Sequence, residues 1–259
     1  MASYLEELFS LKGKAAAVTG GGGYLCGEMA RGLARAGTKV AVLDLRPAKA
    51  EHVRQEILAF GGEAVAHPID VTSKESFREA LRATLDAFGR VDILINGAGM
   101  NAPTPLLEIP EEEWEQILHV NLRGALYGCQ VFGEPMLAQG SGSIINISSA
   151  SAGPPLSKAF TYSVSKAGVR NLTQNIAREW APRGVRVNAL RPGFFPTEWS
   201  IKHFIDAARD AAIKGHTPMK RYGRPDELLG AVLWLASDAS SFVTGAEIAV
   251  DGGFSCMTI

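Results

Sequence analysis

Seven short apolar runs punctuate the chain: KAAAVTG (14–20), KVAVLDL (39–45), EAVAHPIDV (63–71), VDILING (91–97), GSIINIS (142–148), GVRVNAL (184–190) and EIAVDG (247–252). Several are apolar almost throughout, the pattern of strands covered on both faces in a parallel sheet. Longer amphipathic stretches separate them. In the first, Leu25, Met29 and Leu33 recur every four residues while Glu28, Arg31 and Arg35 fill other faces, which predicts a helix. Period and flanking breakers predict further helices near 47–60, 73–88, 111–138, 160–181 and 225–237. Strand–helix alternation of this kind builds a doubly wound α/β sheet with right-handed crossovers. No repeat, low-complexity linker or composition break divides the chain, so residues 1–259 read as one domain around a seven-stranded parallel sheet.

Charge and composition remove several function classes. Lys plus Arg number 26 against 27 acids, a net charge of -1, with no run of like charges. That balance leaves no electrostatic footprint for a nucleic acid or an anionic membrane surface. Cys26, Cys129 and Cys256 are odd in number, widely spaced and form no CxxC pair, which points to reduced thiols and no metal site. The start, MASYLEELFSLKGK, lacks the apolar core of a signal peptide, and no stretch approaches the length of a membrane span. A cytoplasmic protein with a small-molecule partner is expected.

The stretch VTGGGGYLCGEMARGLARAG (18–37) follows the first strand and opens the first helix. In that position helix N–H groups and the helix dipole can face a pyrophosphate. A glycine-rich turn is by itself a weak signal, equally readable as a flexible strand–helix connection. Asp44 ends the second strand, 24 residues after Gly20, where a carboxylate can accept both hydroxyls of an adenosine ribose. Asp70 closes the third strand and could instead cap the helix beginning near Ser73.

TYSVSKAG places Tyr162 and Lys166 four residues apart, on one face of a helix. A phenol ionises near pH 10, too high for a general base at neutral pH, and a neighbouring ammonium favours the phenolate. A surface Tyr–Lys pair is the bland alternative. INISSASAG and VDILINGAG end the fifth and fourth strands at the carboxyl edge, where open α/β sheets bind ligands. HVNLRG puts Asn121 inside a long helix, and RPGFFPT follows the sixth strand. With these motifs in order, the chain resembles the short-chain dehydrogenase/reductase family over nearly its whole length.

The resemblance implies a single-domain Rossmann fold and assigns residues. Tyr162 and Lys166 match the family's Y-x-x-x-K, Ser149 its serine thirteen residues earlier, and Asn121 its helix asparagine. Asn96-Gly97-Ala98-Gly99 matches N-N-A-G with glycine for the second asparagine. Pro192, Gly193 and Thr197 match the P-G and its threonine, Asp70-Val71 the pair that contacts the adenine side, and Asp251-Gly252-Gly253 the D-G-G. In this reading Tyr162 passes the proton to or from the substrate oxygen. Lys166 lowers the tyrosine's pKa and bonds the nicotinamide ribose, Ser149 donates to the substrate oxygen, and Asn121 holds a water that links Lys166 to solvent. The implied cofactor is NAD, with NADP an alternative. Its expected contacts are Gly20, Gly22, Gly23, Tyr24, Leu25, Asp44, Leu45, Asp70, Val71, Asn96, Ala98, Gly99, Tyr162, Lys166, Pro192, Gly193, Phe195 and Thr197. Asp44 favours NAD, while Arg46, swung inward, could instead pair with a 2′-phosphate.

The family spelling T-G-x-x-x-G-x-G requires glycine where this chain has Tyr24 and Cys26. The expected accommodation puts the unusual dihedrals on Gly21 to Gly23 and leaves Tyr24 at ordinary negative φ as the first helical residue, its side chain turned away from the pyrophosphate. Cys26, small and apolar, still permits a tight helix–strand contact.

The spelling is also similar to mannonate oxidoreductase or fructuronate reductase members and to sugar-acid dehydrogenases such as gluconate dehydrogenases. A sugar acid needs a cation, because burying an unpaired carboxylate is costly. The expected substrate residues are Asn101, Ser149, Ser151, Tyr162 and Phe194, with Lys202 or His203 carried in by a lid near 194–222 to pair with the carboxylate. Arg191 is a further cation at the strand ends, whereas Arg209 and Lys214 read equally well as a solvated helix face. Two alternatives stay open: a reductase of 3-oxoacyl or other hydrophobic ketones, and a nucleotide-binding sensor of the same fold without turnover. Family members imply a homotetramer, or a homodimer, built on the helices near 111–138 and 160–181.

Overall fold

Ala15, Ala16, Ala17 and Val18 are all fully buried. The small side chains of β1 (Ala15–Thr19) let helices pack closely on both faces of the central strand. In the computed structural model, which describes residues 3–197, 200–202 and 205–257, β1 lies between β2 (Lys39–Asp44) and β4 (Ile93–Asn96). β3 (Ala64–Pro68) forms one edge; β5 (Gly142–Ile147), β6 (Val185–Pro192) and β7 (Glu247–Val250) complete the other side. The order is β3-β2-β1-β4-β5-β6-β7, and every pairing is parallel. The chain winds outward from β1 to β3, then crosses back to β4. That reversal opens a crevice between the carboxyl ends of β1 and β4, the place where such sheets bind ligands.

Two apolar cores cover the sheet. On one face, α2 (Tyr24–Arg35) and α3 (Pro47–Ala59) contribute Met29, Leu33, Val53 and Ile57 beside Val232 and Leu235. On the other, Phe77 of α4 (Lys74–Phe88) packs edge-on against Phe132 with Met136 and Ala177. Ser73 caps α4 by accepting the Ser76 N–H, and Gly89 closes it in the left-handed conformation at φ 73°.

The structure breaks the helix expected over 111–138. It runs as α5 (Glu111–Leu118), a π-turn (His119–Arg123) and α6 (Gly124–Gln139). The Gly124 N–H reaches back five residues to the His119 carbonyl, and the bulge turns Asn121 inward to be held by the backbone of Met100. α7 (Phe160–Trp180) follows the expected bounds. Among the described residues, α1 (Tyr4–Leu8), capped by Ser3, escapes the periodic pattern, as does α8 (Ala207–His216), capped by Asp206 inside the segment expected to be a lid. The helix expected from 225 begins as a 3-10 turn at Pro225 and becomes α9 (Leu229–Ala236).

Candidate active site

The glycine loop differs from the expected arrangement. The positive φ lies at Gly20, at 67°, and not within Gly21–Gly23. The reason is where β1 ends: the chain must turn immediately after Thr19, and a Cβ on Gly20 would sit 3.0 Å from the Ala98 backbone. The next three glycines serve close approach instead. A Cβ on Gly21 would meet the Val18 carbonyl at 2.8 Å, and one on Gly22 would meet the Lys49 backbone at 2.8 Å. Gly23 is the extended N-cap of α2, leaving Tyr24 as the first helical residue, half exposed and with no positive φ, as expected.

Cys26 and Gly97 meet. A Cβ on Gly97 would overlap the Cys26 sulfur, so the thiol occupies the space that a larger residue in the Asn96–Gly99 turn would need. The two departures from the family spelling are thus complementary in space. Burial pushes the Cys26 thiol up to about 12, which makes it a packing group and not a nucleophile. Thr19 completes the join: its hydroxyl accepts from the Gly97 N–H at 3.0 Å and the Ala98 N–H at 3.3 Å.

Asp44 is buried, and one of its oxygens accepts the Gly22 N–H at 3.1 Å. The other accepts from the Arg46 backbone at 3.0 Å and its Nε at 3.3 Å. The carboxylate therefore ties the glycine loop to the β2–α3 turn and keeps Arg46 on itself. Leu45 beside it is exposed. Asp70 does not cap α4; it accepts from the backbone and hydroxyl of Thr72. Val71 is buried against Gly124. The Asn96 side chain turns away from the crevice. Its amide donates to Asn146 at 2.8 Å and packs against Gly128 in the interior, because the last residue of β4 points to the α6 face. Only its backbone lies along the crevice.

Asn121, Tyr162, Ser149 and Lys166 converge at the ends of β4 and β5. Asn121 is locked by bonds to both backbone groups of Met100, at 2.8 and 2.9 Å, and by one to Ser165 Oγ at 2.9 Å. A Cβ on Gly99 would sit 3.3 Å from Asn121 Oδ1 and 3.7 Å from Lys166 Nζ, so glycine leaves that approach open. Lys166 is buried, and its ammonium donates to the Ile147 carbonyl at 2.7 Å. Desolvation pushes it down to about 8. Its Nζ lies 5.6 Å from the Tyr162 ring centre. The expected lowering of the tyrosine's pKa is absent: burial raises the phenol above its ordinary value, and the hydrogen bond with Ser149 opposes that shift only in part. The Ser149 hydroxyl also accepts from Ser151 Oγ at 3.1 Å.

Beyond the phenol opens a cavity of about 370 Å³. Asn101, Ser149, Ser151, Tyr162 and Phe194, all expected on the substrate, line it together. Gly193, within van der Waals reach of Asp251, and Phe195, stacked under Gly223, form its floor. Thr197 instead caps a helical turn by accepting from the Ser200 N–H at 3.0 Å. Lys202 is exposed and is not among the residues lining the cavity; His203 lies outside the described residues. Arg191 is spent on Glu247 at 3.0 Å and Lys214 on Asp210 at 2.9 Å. The cations that do line the cavity are Lys158, which the sequence reading missed, and Arg209, which it left open. The only local hint of them was their closeness to the SSASAG and lid segments.

Two hydroxyls at the mouth of a cavity, with a buried ammonium behind them, can hold a substrate oxygen and exchange a proton with it. A family model described as enoyl-(acyl carrier protein) reductase matches residues 25–255. The chain is similar to an uncharacterized oxidoreductase of Bacillus subtilis, 42% identical over 95% of this chain and 96% of that one. A galactitol 2-dehydrogenase (L-tagatose-forming) of Cereibacter sphaeroides is 40% identical over 96% and 98%. A crystal structure of a gluconate 5-dehydrogenase from Burkholderia cenocepacia, in complex with NADP and tartrate, superposes with a TM-score of 0.94 at 34% identity, covering 98% of this chain and all of that one.

Proposed function

The chain belongs to the short-chain dehydrogenase/reductase family, and on that premise we propose that it is an NAD(P)-dependent oxidoreductase of a secondary alcohol or ketone in a sugar or sugar acid. The observation that carries the reading is the Ser149–Tyr162 hydroxyl pair opening onto a cavity with two cations and, among the described residues, no carboxylate. The dehydrogenases of galactitol and gluconate among its relatives support the polyhydroxy class. The mannonate–fructuronate pair is the finer choice, carried by the sequence motifs alone.

The crevice fits a dinucleotide. A Cβ would crowd Ala98 at Gly20, Lys49 at Gly22 and Asn121 at Gly99, so glycine lets the turns at the ends of β1 and β4 pack closely, and α2 opens directly after the first of them. The nicotinamide, when bound, supplies or accepts the hydride. Tyr162 is placed to pass the proton to or from the substrate oxygen, and burial raises its phenol above the ordinary value. Ser149 orients the same oxygen, and Lys166 places positive charge below it. Asn121 fixes the 99–101 turn against α7 through Met100 and Ser165, which supports its relay role as a scaffold for a water. Asp44 favours NAD, because a carboxylate repels a 2′-phosphate and Arg46 is already bonded to it. Residues 194–222 act as the lid.

The test is steady-state turnover of D-mannonate, D-gluconate and galactitol with each cofactor, beside a 3-oxoacyl thioester. A preference for NAD and for a polyol or its acid is expected. In Tyr162→Phe turnover should fall at least about a hundredfold with cofactor affinity largely kept. Near-normal turnover in that variant would remove the catalytic assignment. The apolar wall of Leu156, Phe194, Phe195, Pro196 and Ile205 favours the second reading, a hydrophobic-ketone reductase, which exclusive thioester turnover would select.

A further inference from the structure

We propose that Arg209, with Lys158 beside it, forms a carboxylate-binding subsite on the cavity wall facing Tyr162 and Ser149. The inference rests on the sugar-acid reading of that cavity and names the residues that select the acid. The first support is what lines the space: Lys158 and Arg209 are its charged residues among those described. No carboxylate is among the described residues that line the cavity, and a buried carboxylate needs a cationic partner.

The second support is how Arg209 is held. Its Nη1 donates to Ser157 Oγ at 2.6 Å and its Nη2 to the Ser157 carbonyl at 2.9 Å. Both partners are neutral, so they fix the guanidinium without spending its charge, and among the described residues it makes no ion pair. A guanidinium carries five N–H donors, and those left over keep the planar fork that matches a carboxylate. The anchoring is long-range: α8 brings the arginine, while residue 157 belongs to the loop that follows the Ser149 strand.

Lys158 is built into the same corner. It is one of two non-glycine residues with positive φ among those described, at 59°, a conformation that persists only when surroundings impose it. Its carbonyl accepts from Asn101 Nδ2 at 3.2 Å, and Asn101 also lines the cavity. The Lys158 ammonium lies 3.7 Å from Asp206, the cap of α8, and both groups are well exposed. So open an ion pair leaves most of the lysine's charge available. Competing cations are elsewhere, with Lys202 off the cavity and Arg191 and Lys214 paired to acids.

The experiment compares D-mannonate with neutral D-mannitol at saturating NAD, in the wild type, Arg209→Gln, Arg209→Lys and Lys158→Gln. Arg209→Gln should raise KM for mannonate at least about tenfold, the scale of a charged hydrogen bond lost, with kcat nearly kept and mannitol changed less than about twofold. Arg209→Lys should retain part of the acid preference, and Lys158→Gln should show a smaller loss in the same direction. An equal effect on acid and alditol would overturn the subsite while leaving the sugar reading intact. A wild type that turns over neither sugar would overturn that reading instead. The subsite is then judged by mannonate inhibition of ketone reduction: inhibition weakened about tenfold in Arg209→Gln retains it, and absence of inhibition overturns it too. Should Arg209→Gln fail to fold, the other two variants carry the same readout.

Discussion

Among the described residues Lys166 has no carboxylate partner; its buried ammonium is held by one carbonyl and pushed down to about 8. Its ordinary value is 10.5. Between those two values the unfolded chain binds more protons at this site than the folded one, so the site's contribution to stability rises with pH across that window. Below about 8 the full cost of burying the charge is present. Lys166→Met removes the titration. Its stability advantage over wild type should shrink by on the order of 3 kcal/mol between pH 7 and pH 10.5, measured by urea unfolding of both proteins in parallel. Parallel profiles would show that the ammonium is not desolvated as the geometry requires. The same burial that depresses Lys166 raises Tyr162, and both follow from placing the pair inside the wall of the crevice.

At the level of elements, the β1–α2 join depends on a partner distant in sequence. Cys26 lies in the first turn of α2 and Gly97 directly follows β4, and the sulfur of one fills the space of a side chain on the other. Gly97→Ala should cost about 1–3 kcal/mol by overpacking. Without the sulfur, a Cβ at Gly97 would face the Cys26 Cβ at 3.5 Å, an ordinary contact, and only the Thr19 carbonyl at 3.0 Å would stay tight. Cys26→Ala should therefore absorb much of that cost, giving a coupling of about 1 kcal/mol or more in a double-mutant cycle followed by thermal unfolding. Additive effects would separate the two positions. The glycine turn and the first helix were legible from spacing, yet which glycine carries the positive φ was not. That choice depends on where Ala98 lies, and Ala98 reaches Gly20 only through the sheet.

For the whole molecule, the expectation that can be tested is assembly. A groove between α5, α6 and α7 is lined by Trp114, Leu118, Leu122, Leu126 and Leu172, an apolar surface that the expected homotetramer would cover. Light scattering should report about four times the 27.6 kDa chain mass. Leu126→Glu should shift the population to smaller species with its fold retained by circular dichroism. A monomeric wild type would remove the expectation.

What the sequence determined by itself is whatever local pattern encodes. Continuous apolar runs such as AAAVT and ILIN mark strands buried on both faces, and Tyr162 and Lys166 share a face because a helix brings residues four apart together. Those rules need no knowledge of distant chain, and they mark the seven strands and put Tyr162 and Lys166 on one helix face, while joining Ser149 to that pair took the resemblance to a family. Only the tertiary structure decided the rest. Arg209 enters the cavity and Lys202 does not, because a loop 52 residues away holds the arginine. Asn96 turns inward because Asn146, 50 residues on, offers it a buried partner. The phenol is raised because packing from several elements excludes water around it, a long-range effect that four residues of helix spacing cannot encode.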